Sequence, residues 1–358
     1  MNAISFASGS LGSVPVLERV LNESISKVDP GMLLSYADPL GLPELRRQIA
    51  ELYRNGLTEE NVMITSSAQQ ALGIVFDNLV NEGRNEVFVQ EPAYFGILRI
   101  FRKHQDAQVV SFEDLSSIED RLKTSESGIV YLTSNYHNPT GETLSPEIKN
   151  KLASVAKSGN VVIVEDNPHD FLYFGEERPT NVFALAPQRT IYVSGFSKIL
   201  GPGLRVGYVI ADNETIAKLK SGKISEDIFT STLGQQVCLQ ALRQSEYLAE
   251  LREYFRGKRD LALSCLEEQF GAEGGFVWNK PEGGIFILGR FSEGIDSNEV
   301  ARIARDKYGL MLETDKYTFS DRKSRNTTRI NFIQNPDDVL REGIARLYEA
   351  FREVKNGS

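Results

Sequence analysis

The sequence predicts an α/β fold: a large domain with a mostly parallel sheet flanked by helices, and a smaller αβ domain. Two patterns carry that expectation. Short apolar runs alternate with longer segments of helical period from about residue 61 to about residue 211. From about residue 224 to 269 the pattern is almost continuously helical, and beyond it a short strand-and-helix unit follows.

Taken in order, "NVMIT" (61–65), "EVFVQ" (86–90), "AQVVSF" (107–112), "GIVYLT" (128–133), "VVIVED" (161–166), "TIYVSG" (190–195) and "RVGYVIA" (205–211) read as strands. "AQQALGIVFDNLVNEG" (68–83) and "SPEIKNKLASVAKSG" (145–159) read as helices between them. The second opens with Ser145 as N-cap, Pro146 at the first helical position and Glu147 in the first turn. A helix as long as the 224–269 pattern commonly crosses between lobes. Past it, "GGFVWNKPEGGIFILGRF", "NEVARIARDKYGLMLE" and "TTRINFIQNPDDVLREGIARLYEAFREVK" read as the smaller unit. The expected division is a large domain over 37–255 and a small domain made of 1–36 and 256–358.

Composition narrows the class. The net charge of −9 argues against a nucleic-acid surface, which needs clustered Lys and Arg. No apolar run approaches a membrane span, and "MNAISFASGSLGS" lacks the charged start and apolar core of a signal peptide. Cys238 and Cys265 both fall in helical patterns, as buried reduced thiols do. His104, His137 and His169 have no paired spacing, so no metal site is expected. A cytoplasmic enzyme is the simplest class that fits.

Several polar residues fall at the C-terminal ends of predicted strands, the edge where open α/β sheets bind ligands. "VVIVED" ends in Asp166, a costly place for an acid without a cationic partner. Asn138 stands in a rigid Asn-Pro-Thr-Gly turn after "GIVYLT". Ser67, Ala68 and Gln69 open a helix, whose free N–H groups can take an anion. Tyr94 follows Glu91 and Pro92 after another strand, and "SGFSKILGPGLRVGY" presents Lys198 and Arg205. Each alone has an ordinary reading: a cap, a turn, or two solvated cations. "GPGLRVG" also misses the G-x-G-x-x-G spacing of a dinucleotide loop.

Together they describe one ligand. Its phosphate sits on the 67–69 helix start with Arg205, its ring lies against Tyr94, and a ring nitrogen pairs with Asp166. A ring oxygen meets Asn138, and an aldehyde is held covalently by Lys198. That ligand is pyridoxal 5′-phosphate.

Seven motifs then occur in one order: "YADPLGLPELRRQIAELY", "EPAYFG", "NYHNPTG", "VEDNP", "GFSKILGPGLRVGY", "PEGGIFI" and "TRINF". On these the chain resembles the fold type I pyridoxal-phosphate enzymes, in particular the class I/II aminotransferases near the 2-aminoadipate, kynurenine and aromatic enzymes. The resemblance spans nearly the whole chain. It implies Lys198 as the Schiff-base lysine and acid–base group, and Asp166 as partner of the ring nitrogen. Asn138 becomes a ligand of the ring hydroxyl and of substrate, and Tyr94 the stacking ring. Ser197, Arg205 and the 67–69 turn hold the phosphate. Arg329 of "TRINF" grips the substrate carboxylate, with Gly9 of "FASG" beside it. Tyr36 is implied to reach the phosphate of a neighbouring subunit, which makes the protein a homodimer with shared active sites acting on an L-amino acid and a 2-oxo acid.

The chain departs from the family at three places. His169 stands three residues after Asp166, where a tyrosine usually donates to the ring hydroxyl; a histidine can donate the same bond. The phosphate turn reads Ser67-Ala68-Gln69 rather than Gly-Ser-Gln, and Ser194-Gly195 inverts the usual Gly-Ser. A helix with an arginine for a dicarboxylate is not expected ahead of "ISFASG", since the first arginine in this sequence is Arg19. Two other readings stay open: a biosynthetic enzyme that eliminates, cyclises or decarboxylates on the same scaffold, and the ligand-sensing domain of a regulator.

Overall fold

The computed structural model describes residues 3–53, 56–104, 107–159, 161–244, 246–315 and 324–357. Strands are numbered along the chain: β1 (Ile4–Ser5), β2 (Val62–Thr65), β3 (Glu86–Gln90), β4 (Gln108–Phe112), β5 (Gly128–Leu132), β6 (Val162–Asp166), β7 (Thr190–Gly195) and β8 (Gly207–Ile210). They continue with β9 (Phe276–Trp278), β10 (Phe286–Phe291), β11 (Leu310–Met311), β12 (Glu313–Thr314) and β13 (Thr327–Asn331).

The seven apolar runs read as strands form one seven-stranded sheet, in the order β2-β8-β7-β6-β5-β3-β4. β4, β3, β5, β6 and β7 are mutually parallel, while β8 runs antiparallel between β7 and β2. β5, β6 and β7 are buried along their whole length or nearly so, because helices cover both faces. Their C-terminal ends therefore open onto one edge, and the chain turns there into the segments that carry the polar residues.

The helix Ala68–Asn81 begins where expected, capped by Ser67, whose side chain accepts from Gln70 N. Pro146–Ser158 likewise starts behind Ser145, whose hydroxyl accepts from Ile148 N. The 224–269 pattern is not one helix or a simple pair. It is the end of Asn213–Asp227, then Thr232–Leu242, then Tyr247–Phe270. The first break is at Ile228, which has φ 61° and ψ −59°, while Phe229 N donates to Asp227 O across it. A β-branched residue rarely takes this conformation, so no sequence signal marks it. Ser231 then caps the next helix.

β9, β10, β13 and β12 make a four-stranded antiparallel sheet, and β1 pairs in parallel with β11. The N-terminal segment thus joins the C-terminal unit. Tyr247–Phe270 packs along Asp337–Gly357, and its buried Phe255, Leu266 and Phe270 belong to a core shared with β10 and β13. No helix among the described residues is long and apolar enough to cross a membrane.

Candidate active site

At the C-terminal edge of the parallel strands lies a cavity of about 380 Å³. Gly9, Ser67, Ala68, Gln69, Tyr94 and Asn138 line one part of it, and Asp166, His169, Ser197, Lys198, Arg205 and Arg329 the rest. Of the residues singled out in the sequence, only Tyr36 lies elsewhere. It is 84% exposed and packs edge-on against Phe229 at 5.7 Å.

Lys198 stands in the short turn after β7. Its Nζ donates to Gly9 O at 2.6 Å. Gly9 is fixed there because Asn331 Nδ2 donates to Ser8 O and Ser10 O, at 2.7 and 2.9 Å. A Cβ built on Gly9 meets Nζ at 2.7 Å, so the missing side chain gives the lysine its room. Burial, with Arg329 as a second cation nearby, lowers the Lys198 ammonium to a pKa of about 8.

Asp166 ends β6 and is 4% exposed. Tyr131 of the neighbouring β5 donates to its Oδ2 at 2.8 Å, while Oδ1 has no partner among the described residues. Burial raises the Asp166 carboxyl to a pKa of about 7, against which the Tyr131 bond works. The adjacent Glu165 is equally buried but satisfied: it accepts from Val182 N (2.8 Å), Phe183 N (2.7 Å) and Ser134 Oγ. The two acids point to opposite faces of the strand. One holds a helix start in place, and the other, lining the cavity, has a buried oxygen with no partner among the described residues.

Arg329 on β13 lies 4.1 Å over the Phe286 ring. Its Nη1 donates to Asn138 Oδ1 (2.7 Å) and its Nη2 to Ala7 O (2.6 Å). Desolvation lowers its pKa. Arg205 has left-handed backbone (φ 55°), and its Nη1 makes one long bond among the described residues, to Pro202 O at 3.4 Å. A Cβ on Gly207 would collide with the backbone of Ser67 and Ala68; its absence lets β8 lie close against the helix start. Tyr94 packs on Phe95 at 4.8 Å, and burial raises its phenol pKa.

A family model for the class I and II aminotransferases matches residues 2–347. The chain belongs to that family. The family moves amino groups between amino acids and oxo acids with pyridoxal phosphate, and this protein is one of its aminotransferases. It is 30% identical to aromatic-amino-acid aminotransferase 1 of Thermococcus litoralis, over 95% of this chain and 85% of that one. It is 30% identical to the 2-aminoadipate transaminase of Thermus thermophilus, over 89% of this chain and 82% of that one. Among solved structures, it superposes on the Thermus thermophilus α-aminoadipate aminotransferase LysN, complexed with N-(5′-phosphopyridoxyl)-L-leucine, at a TM-score of 0.89. There the identity is 27%, covering 99% of this chain and 94% of that one.

The cavity of this aminotransferase fits the family's cofactor in its donor set. The unpartnered Asp166 oxygen suits a ring N–H. The start of Ala68–Asn81 presents N–H groups that no helical carbonyl satisfies, as an anionic phosphate requires. Lys198, Arg205 and Arg329 outnumber Asp166 in a protein of net charge −9, so a dianionic ligand and a carboxylate are both favoured there.

Sequence reading missed Phe286, which lies beneath Arg329 and edge-on to His169 at 5.6 Å. It missed Tyr131 and Tyr136 as well. "PEGGIFI", "GIVYLT" and "NYHNPTG" were the available signals. A Cβ on Gly283 would strike the Tyr136 ring, so the glycine pair marks a close approach to it.

Proposed function

We propose that this aminotransferase holds pyridoxal 5′-phosphate on Lys198 and uses Asp166, Arg329 and Lys198 to transfer the amino group of an L-amino acid to a 2-oxo acid. The observation that carries it is a part-buried lysine and a buried, half-satisfied aspartate on one cavity with a cationic excess. When bound, the cofactor supplies an aldehyde to carry the amino group and a protonated ring to accept electrons from the substrate Cα–H bond. Asp166 Oδ1 keeps the ring nitrogen protonated. The helix start at 67–69, Ser197 and Arg205 hold the phosphate, and Tyr94 covers the ring. Arg329 orients the substrate carboxylate, with Phe286 and Asn138 fixing its guanidinium. Lys198 Nζ, its pKa already near 8, would take the proton from the substrate α-carbon and pass it to the carbon that bore the cofactor's aldehyde.

Borohydride reduction of the loaded protein is expected to leave the cofactor on the peptide containing Lys198. Attachment to cofactor-free protein requires the neutral amine, so its rate is expected to rise with pH through about 8. In Arg329→Met the lowering cation is gone and the midpoint moves upward. Label on another lysine, or a midpoint that does not move, contradicts the assignment.

A second copy of the chain completes the site in this reading. Leu34 (88% exposed) and Tyr36 stand out from the surface with Met32, Leu33, Ile228 and Leu233, an apolar face that a subunit covers. Sedimentation at micromolar concentration is expected to give a dimer; a monomer that turns over at full rate contradicts it.

A further inference from the structure

We infer that His169 meets the ring oxygen of the cofactor as a hydrogen-bond acceptor, the reverse of the donor that a tyrosine supplies there. This rests on the cofactor reading above. His169 is 1% exposed, and its Nδ1 lies 3.0 Å from Tyr136 O. A carbonyl only accepts, so Nδ1 carries the ring's hydrogen. Nε2 is then bare in the neutral imidazole, and it is buried without a partner among the described residues.

The ring is held in that orientation. Tyr136 has φ 53°, an uncommon conformation for a non-glycine residue, in the turn that offers its carbonyl to Nδ1. Gly284 (φ +75°) lies against the imidazole, where a Cβ would touch Cγ at 3.6 Å, and Gly283 makes room for the Tyr136 ring. Phe286 closes the edge at 83° to the imidazole plane. Turning the imidazole over would lose the Tyr136 bond.

The charged and titratable neighbours oppose a second proton. Lys198 from the turn after β7, Arg329 from β13 and His137 from the turn after β5 all disfavour the cation. Asp166 is the nearby acid on the same segment, and it is itself held up near pH 7. With burial as the largest cause, His169 stays neutral down to a pKa of about 3.

Asn138 supplies the second partner of the ring oxygen. Its Oδ1 accepts from Arg329, which has only donors, so the amide faces the site with Nδ2. One donor (Asn138 Nδ2) and one acceptor (His169 Nε2) complement a hydroxyl. An ionised oxygen asks for two donors, which an asparagine and a tyrosine provide. The bound cofactor's ring oxygen therefore keeps its proton, directed at Nε2.

The test uses protein carrying ¹⁵N-labelled histidine rings, with and without cofactor. Only three histidines are present, so the spectrum of His169→Gln assigns the His169 signals by their loss. The expected result is protonated Nδ1 and bare Nε2 in both states, with the Nε2 signal moving on loading. In parallel, the loaded wild type is expected to absorb mainly in the shorter-wavelength band of the protonated ring oxygen, unchanged between pH 6 and 8. His169→Tyr is expected to shift the band ratio toward longer wavelength by at least threefold. A proton on Nε2 in the loaded protein, or a wild-type band ratio in both His169→Tyr and His169→Phe, overturns the inference. Failure of the protein to develop any cofactor band overturns the reading of the cavity itself.

Discussion

Lys198→Ala is expected to slow amino-group transfer by at least about 10³-fold, because it removes both the covalent anchor and the group that moves the α-proton. The fold is expected to survive. In cofactor-free protein the ammonium is held beside Arg329 with its pKa lowered to about 8, against 10.5 for the ordinary side chain. Between those values the unfolded chain binds the proton more tightly, so wild-type stability rises with pH across that window. Below about pH 8 the buried charge costs stability in full. The variant is thus expected to melt no lower than wild type at pH 7 and to lack the rise above pH 8. Single-turnover transfer and thermal melts on the same preparations check both halves. A variant that melts well below wild type, with kinetics lost only in proportion to folded protein, contradicts the assignment.

Asp166→Asn separates function from stability most sharply. The amide can still accept from Tyr131, so the local packing stays. What is lost is the charge that faces the cofactor ring, and transfer is expected to slow by about 10²–10³-fold, the scale of a broken buried charge pair. The cofactor-free fold is expected to gain. The Asp166 carboxyl is raised to about 7 in the folded protein. Stability associated with the protonated form is complete below the ordinary carboxyl pKa of about 3.9 and is lost as pH rises through 7. At pH 8 Asp166→Asn is therefore expected to be more stable than wild type by about 4 kcal/mol, and at pH 3.5 the difference vanishes. An Asp166→Asn protein that is destabilised at pH 8 and turns over normally would make Asp166 a structural acid like Glu165.

Much of the site was legible because its signals are local. A lysine in a serine-glycine turn after an apolar strand, and an acid closing another apolar strand, are anomalies on a single element. The sheet was legible for the same reason, since β5, β6 and β7 are almost unbroken apolar runs. The hidden features depend on segments far apart in sequence. Phe286 gains its place only when β10 sets it between Arg329 and His169. The tautomer of His169 depends on a carbonyl in another turn, and "EDNPHD" carries no trace of it. Ile228 breaks a helical pattern with a conformation its side chain does not favour, so periodicity runs straight through the break. Tyr36 lies on the surface of the single chain, and its implied role belongs to a second subunit.

The central claim is that this cavity carries out half of a transamination with its own lysine. Its most direct test is the visible spectrum of the cofactor-loaded protein as single L-amino acids are added, with no oxo acid present. The expected result is conversion of the cofactor from its aldehyde-derived bands to the amine form with a subset of amino acids, and return on adding a 2-oxo acid. Persistence of the original bands with every amino acid, or products formed with no amine form at any stage, would contradict it.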